Sequence, residues 1–164
     1  MILVKENGTG VAGANTYIDL DYANTYMSDM GYSDWAMIGA AARTSSILRA
    51  MNYIEALPWK GYKADKDYPL EWPRAGVIDG NEYPVDEDII PEKLMKAQAE
   101  AALREIETGT LQPDVEGPSN IQTMKAGSLA ITYFDGKSGT GSQFTVIEGL
   151  LSGFVIGGTK VFRT

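Results

Sequence analysis

The chain of 164 residues carries 22 acidic against 14 basic side chains, a formal net charge of −8, with 44% hydrophobic and 22% charged residues. That is the composition of one globular domain, or one with extensions, long enough to bury a core. It has no cysteine and no histidine, which excludes disulfides, thiolate metal sites, the usual general base and the commonest transition-metal ligand.

The acidic balance speaks against a nucleic-acid binder, whose phosphate contacts need a basic patch. It suits a soluble protein, or the wall of a passage to which DNA must not stick. No apolar run approaches a membrane span, and Met1-Ile2-Leu3-Val4 lacks the basic region and the length of a signal peptide. The absence of cysteine fits an intracellular product.

In chain order, residues 1–18 open with a short strand candidate and a glycine-rich turn. Gly8, Gly10 and Gly13 match G-x-G-x-x-G by letter, but a dinucleotide site needs that loop to open a helix facing the pyrophosphate. Here it leads into the alternating Ala14-Asn15-Thr16-Tyr17-Ile18, so a flexible turn is the better reading. Asp19 is a good N-cap for a first helix with Leu20, Ala23, Met27 and Met30 on one face, stopped by Gly31. Ser33-Asp34-Trp35 starts a long helical stretch to about Leu57, with Thr44, Ile47, Leu48, Met51 and Ile54 as its buried stripe. The small residues 39–42 would let another helix approach closely. Tyr22, Tyr26 and Tyr53 read as core or half-buried positions rather than a recognition stripe.

The stretch from Leu57 to Gly76 holds Trp59 and Trp72 and the prolines Pro58, Pro69 and Pro73. Prolines rule out another helix, and two tryptophans argue against disorder. A pinned loop follows, with both indoles packed on the helices while Arg74 and Asp65-Lys66-Asp67 face outward. Residues 77–85, with Asp79-Gly80 at the turn, predict a small β-hairpin. Pro91 at the first helical position, with Asp86-Glu87-Asp88 upstream, predicts a helix to about Glu107, ended by Thr108-Gly109.

Residues 110–127 read as a surface linker, 128–134 as a strand and 135–141 as a glycine-rich loop. Phe144 to Leu151 follows as a short helix. Val155, Ile156, Val161 and Phe162 lie in a strand-like tail with little left to fold against, suited to pairing with another chain. The expected fold is mainly α: a small helical bundle over 1–109 with loop 57–76 and a β-hairpin insertion at 77–85. An extended, partly β C-terminal segment over 110–164 completes it.

Chemistry finds little footing. Gly136-Lys137-Ser138 imitates the end of a phosphate-binding loop, but Ile131 stands where the motif's first glycine belongs. Asp65/Asp67 and Asp86/Asp88 lack the glycine and distal glutamate of a calcium loop, so solvated acidic faces are expected, with no metal. No Ser–Lys or carboxylate-pair spacing suggests an enzyme, and no cofactor is implied.

The pieces GTGVAGANTYIDLDYANTYM, YIEALPWKG, EWPRAG, DGNEYP and IIPEKLMKAQAEAAL together resemble the head–tail connector (adaptor) proteins of tailed phages. Members are often labelled DnaT-like single-stranded-DNA-binding proteins. The resemblance spans residues 1 to about 107, and the 133–154 region more loosely. It implies a small helical subunit, without enzymatic activity, that joins copies of itself into a ring, commonly dodecameric, below the portal ring. Such a virion neck component, assembled in the host cytoplasm, prolongs the channel for double-stranded DNA without binding it specifically, touches no membrane and docks the next neck or tail protein. In that reading Trp59 and Trp72 brace the loop, and Trp59, Lys60, Trp72, Arg74, Val155, Ile156, Val161 and Phe162 are the candidate interface residues. The alternative is single-stranded-DNA binding, which needs aromatics over a basic groove. Lys60, Lys63, Lys66 and Arg74 would supply the cations, diluted by Asp65, Asp67 and Glu71.

Overall fold

A computed structural model describes residues 2–109, 111, 121–126, 129–134 and 145–156; for 121–126, 129–134 and Thr145 only the backbone is described. Two compact units divide the chain, residues 1–111 with 144–164, and residues 112–143.

The first unit is mainly α. Helix α1 (Leu20–Asp29) begins where expected: the Asp19 carboxylate accepts the Tyr22 N–H at 2.7 Å, satisfying one of the donors a helix start leaves open. The expected long second helix is two. Ile38 and Gly39 are extended (ψ 134° and 142°), separating α2 (Ser33–Met37) from α3 (Ala40–Glu55). The small residues 39–42 are exposed, so the close helix approach expected of them is not made.

Helix α4 (Glu92–Thr108) ends at Gly109 as expected, though Pro91 is its N-cap rather than its first residue. Every residue from Ala97 to Leu103 is buried, the mark of a helix enclosed on all sides. Its alanines let α3 pack closely, and α5 (Thr145–Leu151) covers another side. The core joins Ile47, Met51 and Ile54 of α3 to Met27, Trp35, Leu94, Ile147 and Leu151. Each of these contributes about 1.5–3 kcal/mol by leaving water. Gln98, fully buried, donates to the Thr16 hydroxyl at 2.8 Å and accepts the Tyr17 N–H at 3.0 Å, tying the N-terminal segment to α4.

That segment has one isolated bridge, Lys5 with Thr16, in place of the strand candidate. Its glycine turn is wrapped around an acid. Glu6, 1% exposed, accepts the N–H groups of Asn7, Gly8 and Gly10 on Oε1 and that of Val11 on Oε2, at 2.9–3.1 Å. Such a ring of converging amides is an anion cradle, here filled from within the chain. Gly8 is obligatory on two counts: its φ is 102°, and a Cβ there would stand 1.9 Å from the Asp88 carbonyl oxygen.

The predicted hairpin at 77–85 is present in short form: Ile78 bridges Pro84 antiparallel, and the Val85 N–H donates to the Val77 carbonyl and the Asp79 N–H to the Tyr83 carbonyl, both at 2.9 Å. A further ladder lies inside the tryptophan loop, where β1 (Tyr62–Lys63) pairs antiparallel with β2 (Arg74–Ala75). In the second unit β3 (Ile121–Ala126) pairs antiparallel with β4 (Leu129–Phe134) from Ile121 opposite Phe134 to Ala126 opposite Leu129. The strand read at 128–134 is therefore present, and part of the expected linker is its partner.

Candidate functional site

The prolines and glycines of 57–76 make a loop whose ends meet through β1 and β2, and whose tryptophans turn inward. Trp59 and Trp72 are buried and meet edge-to-face at 5.7 Å between centroids. Phe154 closes the cluster on Trp72 at 5.6 Å, again edge-to-face, the geometry aromatic quadrupoles favour. The Trp72–Pro73 peptide is cis.

Arg74 does not face outward. It is 6% exposed, and its guanidinium is spent within the chain. Nε donates to the Lys60 carbonyl at 2.8 Å and Nη2 to the Gly61 carbonyl at 2.9 Å. Nη1 reaches the Glu71 carboxylate at 2.5 Å and its carbonyl at 3.3 Å. A planar fork of donors fits a turn of carbonyls in a way lysine could not, so Arg74 is the clamp of the loop. Gly61 (φ 67°) is demanded by the same closure, since a Cβ would lie 2.2 Å from the Ala75 carbonyl oxygen.

Lys60 is also engaged: its ammonium donates to the Gly153 carbonyl at 2.8 Å and its N–H to the Phe154 carbonyl at 2.9 Å. Val155, half-buried, forms a bridge with Trp59, and the Ile156 N–H donates to the Pro58 carbonyl at 2.7 Å. The start of the tail thus does have something to fold against. Ile156 itself is 64% exposed. Val161 and Phe162 lie outside the described residues.

Beside the loop sits a half-buried acid. Glu55 accepts the Tyr17 hydroxyl on Oε1 and the Glu71 N–H on Oε2 at 2.9 Å, while the Trp72 N–H donates to the Tyr17 oxygen at 3.1 Å. Burial pushes the Glu55 carboxyl above its ordinary value, and burial with the Glu55 charge pushes the Tyr17 phenol above its own. No local pattern announced this network, because Tyr17 and Trp72 are 55 positions apart.

Of the loop's other cations, Lys63 donates to the Tyr68 carbonyl at 2.6 Å, and Lys66 pairs with Asp67 at 2.7 Å on the open surface. Asp65, Lys66 and Asp67 are exposed, as expected. Tyr62 of β1, Ile156, and Ile78 and Tyr83 of the 77–85 turn are large apolar side chains left 47–70% exposed. The turn is tied in by close approach: a Cβ on Gly153 would lie 2.8 Å from the Gly80 nitrogen. Among the described residues no three acidic side chains gather as a metal-ion set, and no helix is long and apolar enough to cross a membrane.

Fold and site define a mainly helical protein built around an arginine-clamped aromatic loop. The family model described as "Putative DnaT-like ssDNA binding protein" matches residues 1–164, and the chain belongs to that family. No curated protein and no solved structure matches it.

Proposed function

We propose that this chain is a structural head–tail adaptor of a tailed phage, a ring subunit below the portal that prolongs the DNA channel and docks the next neck or tail protein. One observation carries the reading beyond the sequence resemblance. Tyr62, Ile78, Tyr83 and Ile156 are exposed apolar side chains on three segments, of which 58–60 and 154–156 are hydrogen-bonded to each other while the 77–85 turn approaches Gly153 closely at Gly80. Exposed apolar side chains of this kind suit a protein–protein contact more than a nucleic-acid one. The net charge of −8 suits a wall along which DNA slides.

The second reading, single-stranded-DNA binding, is the one the family description favours. Against it stand the loop cations, since Lys60, Lys63 and Arg74 have partners within the chain and the exposed Lys66 sits beside Asp67. Phosphate contact would have to displace them. A gel shift with an oligothymidylate at about 50 and 200 mM salt separates the two, because real phosphate contacts weaken steeply over that range. The adaptor reading predicts no salt-steep shift, together with loss of self-association in a Tyr62→Ser, Ile156→Ser chain that folds normally. Tight, salt-sensitive binding that survives those substitutions would establish the second reading instead.

A further inference from the structure

The smaller unit, residues 112–143, holds one ladder, and among its described residues there is no helix and no third strand. β3 and β4 pair with each other, and neither outer edge meets another strand among the described residues. A lone two-stranded hairpin is marginal in water, and an open edge offers a row of unpaired N–H and C=O groups to any strand that fits. Proteins blunt such edges with charge, proline or a bulge. β4, Leu129–Phe134, has no charge, no proline and no glycine, and its Ile131, Thr132, Tyr133 and Phe134 are strong strand formers. β3 carries a single charge, Lys125. The ladder runs without a bulge from Ile121 opposite Phe134 to Ala126 opposite Leu129. β4 thus presents a regular, uncharged edge with none of these safeguards.

The backbone directions follow from the register. Only Gly127 and Ser128 link the strands, and so short a link makes Ala126 and Leu129 a hydrogen-bonded pair. Bonded and unbonded pairs alternate along an antiparallel ladder. The N–H groups of Leu129, Ile131 and Tyr133 therefore point at β3, and those of Ala130, Thr132 and Phe134 point away from it. On β3 the N–H groups of Thr123 and Lys125 point outward by the same alternation. Each copy of the chain thus offers a donor-and-acceptor row on either side of its hairpin.

We propose that the outer edge of β4 pairs antiparallel with the outer edge of β3 of a neighbouring copy, so that the hairpins join into one continuous sheet. The inference rests on the assembly reading above and names a contact for it. Symmetry selects the partner strand. In a ring made by rotation, neighbouring copies point the same way. With β3 and β4 antiparallel within each copy, β4 of one then meets β3 of the next antiparallel. Pairing β4 with β4 would need a two-fold axis that turns one copy over. Pairing β3 with β3 would need the same axis and would also bring two Lys125 charges onto neighbouring strands. Closing the ring of hairpins leaves no open edge, as closure does in a barrel.

The test is amide hydrogen exchange of the full chain, dilute and assembled, with and without the cognate portal ring, quenched and read residue by residue. On assembly the outward N–H groups of both strands, Thr123 and Lys125 on β3 and Ala130 and Thr132 on β4, are expected to slow about tenfold or more. Slowing on one strand alone means a two-fold pairing or a strand from another protein, and overturns the contact. An assembled chain in which all four exchange as in the monomer also overturns it, and leaves the assembly reading standing. A parent chain that stays monomeric at every concentration, with and without the portal, overturns both. Thr132→Pro removes an outward donor while keeping the N–H groups that face β3, and should weaken assembly about tenfold or more in sedimentation velocity. Trp35, Trp59 and Trp72 all lie in the larger unit, so unchanged tryptophan fluorescence shows that its fold is kept. A Thr132→Pro chain that assembles as tightly as the parent overturns the contact.

Discussion

Arg74→Ala would remove the clamp of the aromatic loop. Four hydrogen bonds go with it, to the carbonyls of Lys60, Gly61 and Glu71 and to the Glu71 carboxylate. Cutting one partner from a buried pair costs about 3–5 kcal/mol, mostly because the other group is left unpaired. Glu71 is 36% exposed at its side chain and recovers part of its hydration, so the lower end, about 3 kcal/mol, is expected. For a chain of this size that is roughly 10 °C in melting temperature. Arg74→Lys keeps the charge but not the fork and should lose about 2 kcal/mol. Urea unfolding followed by tryptophan fluorescence reads both, since Trp59 and Trp72 lie in the clamped loop. If Arg74→Ala left the urea midpoint unchanged while abolishing association with a partner, the clamp would be refuted and an outward role for Arg74 restored.

Other substitutions probe the rest of the scaffold. Glu6→Ala empties the cradle of four amides and should cost about 3 kcal/mol by thermal unfolding, with Glu6→Gln in between. A stability equal to the parent's would show the cradle to be incidental. Phe154→Ala should cost about 3–4 kcal/mol and raise amide exchange at Lys60 and Ile156, whose N–H groups bond the 153–156 and 57–60 segments to each other. Unchanged exchange there would mean the tail is held by something else. At Asp19, partial burial pushes the carboxyl up, but the Tyr22 N–H and Lys5 outweigh it and hold it below the ordinary aspartate value. The stability it adds is therefore present above pH 3.8 and lost as the pH falls through its lowered folded-state value. Asp19→Ala should cost about 1 kcal/mol at neutral pH, and the gap to the parent should close in acid. A gap independent of pH contradicts the cap.

What could be read from the sequence was whatever a local signal encodes. The starts and stops of α1 and α4 follow from Asp19, Gly31, the proline before Glu92 and Gly109, because caps act within one turn of chain. The inward tryptophans were legible from their size. Missed were features made by distant partners. A charged residue between Pro73 and Ala75 gives no hint of burial, and only the turn of carbonyls at 60–61 explains Arg74. Ladders of two residues, such as β1 with β2, are too short to show a period. The Glu6 cradle did have a signal: an acid followed by closely spaced glycines sets successive amides facing one way. Gly39 was readable too, as the break between α2 and α3 rather than as a packing surface, since glycine is a poor helix residue.

The proposed place in a virion is tested most directly by sedimenting the purified chain with and without its cognate portal ring. Co-sedimentation at a fixed ratio is the predicted result. A chain left in the supernatant, while single-stranded DNA binds it with steep salt dependence, would contradict the adaptor reading and leave nucleic-acid binding in its place.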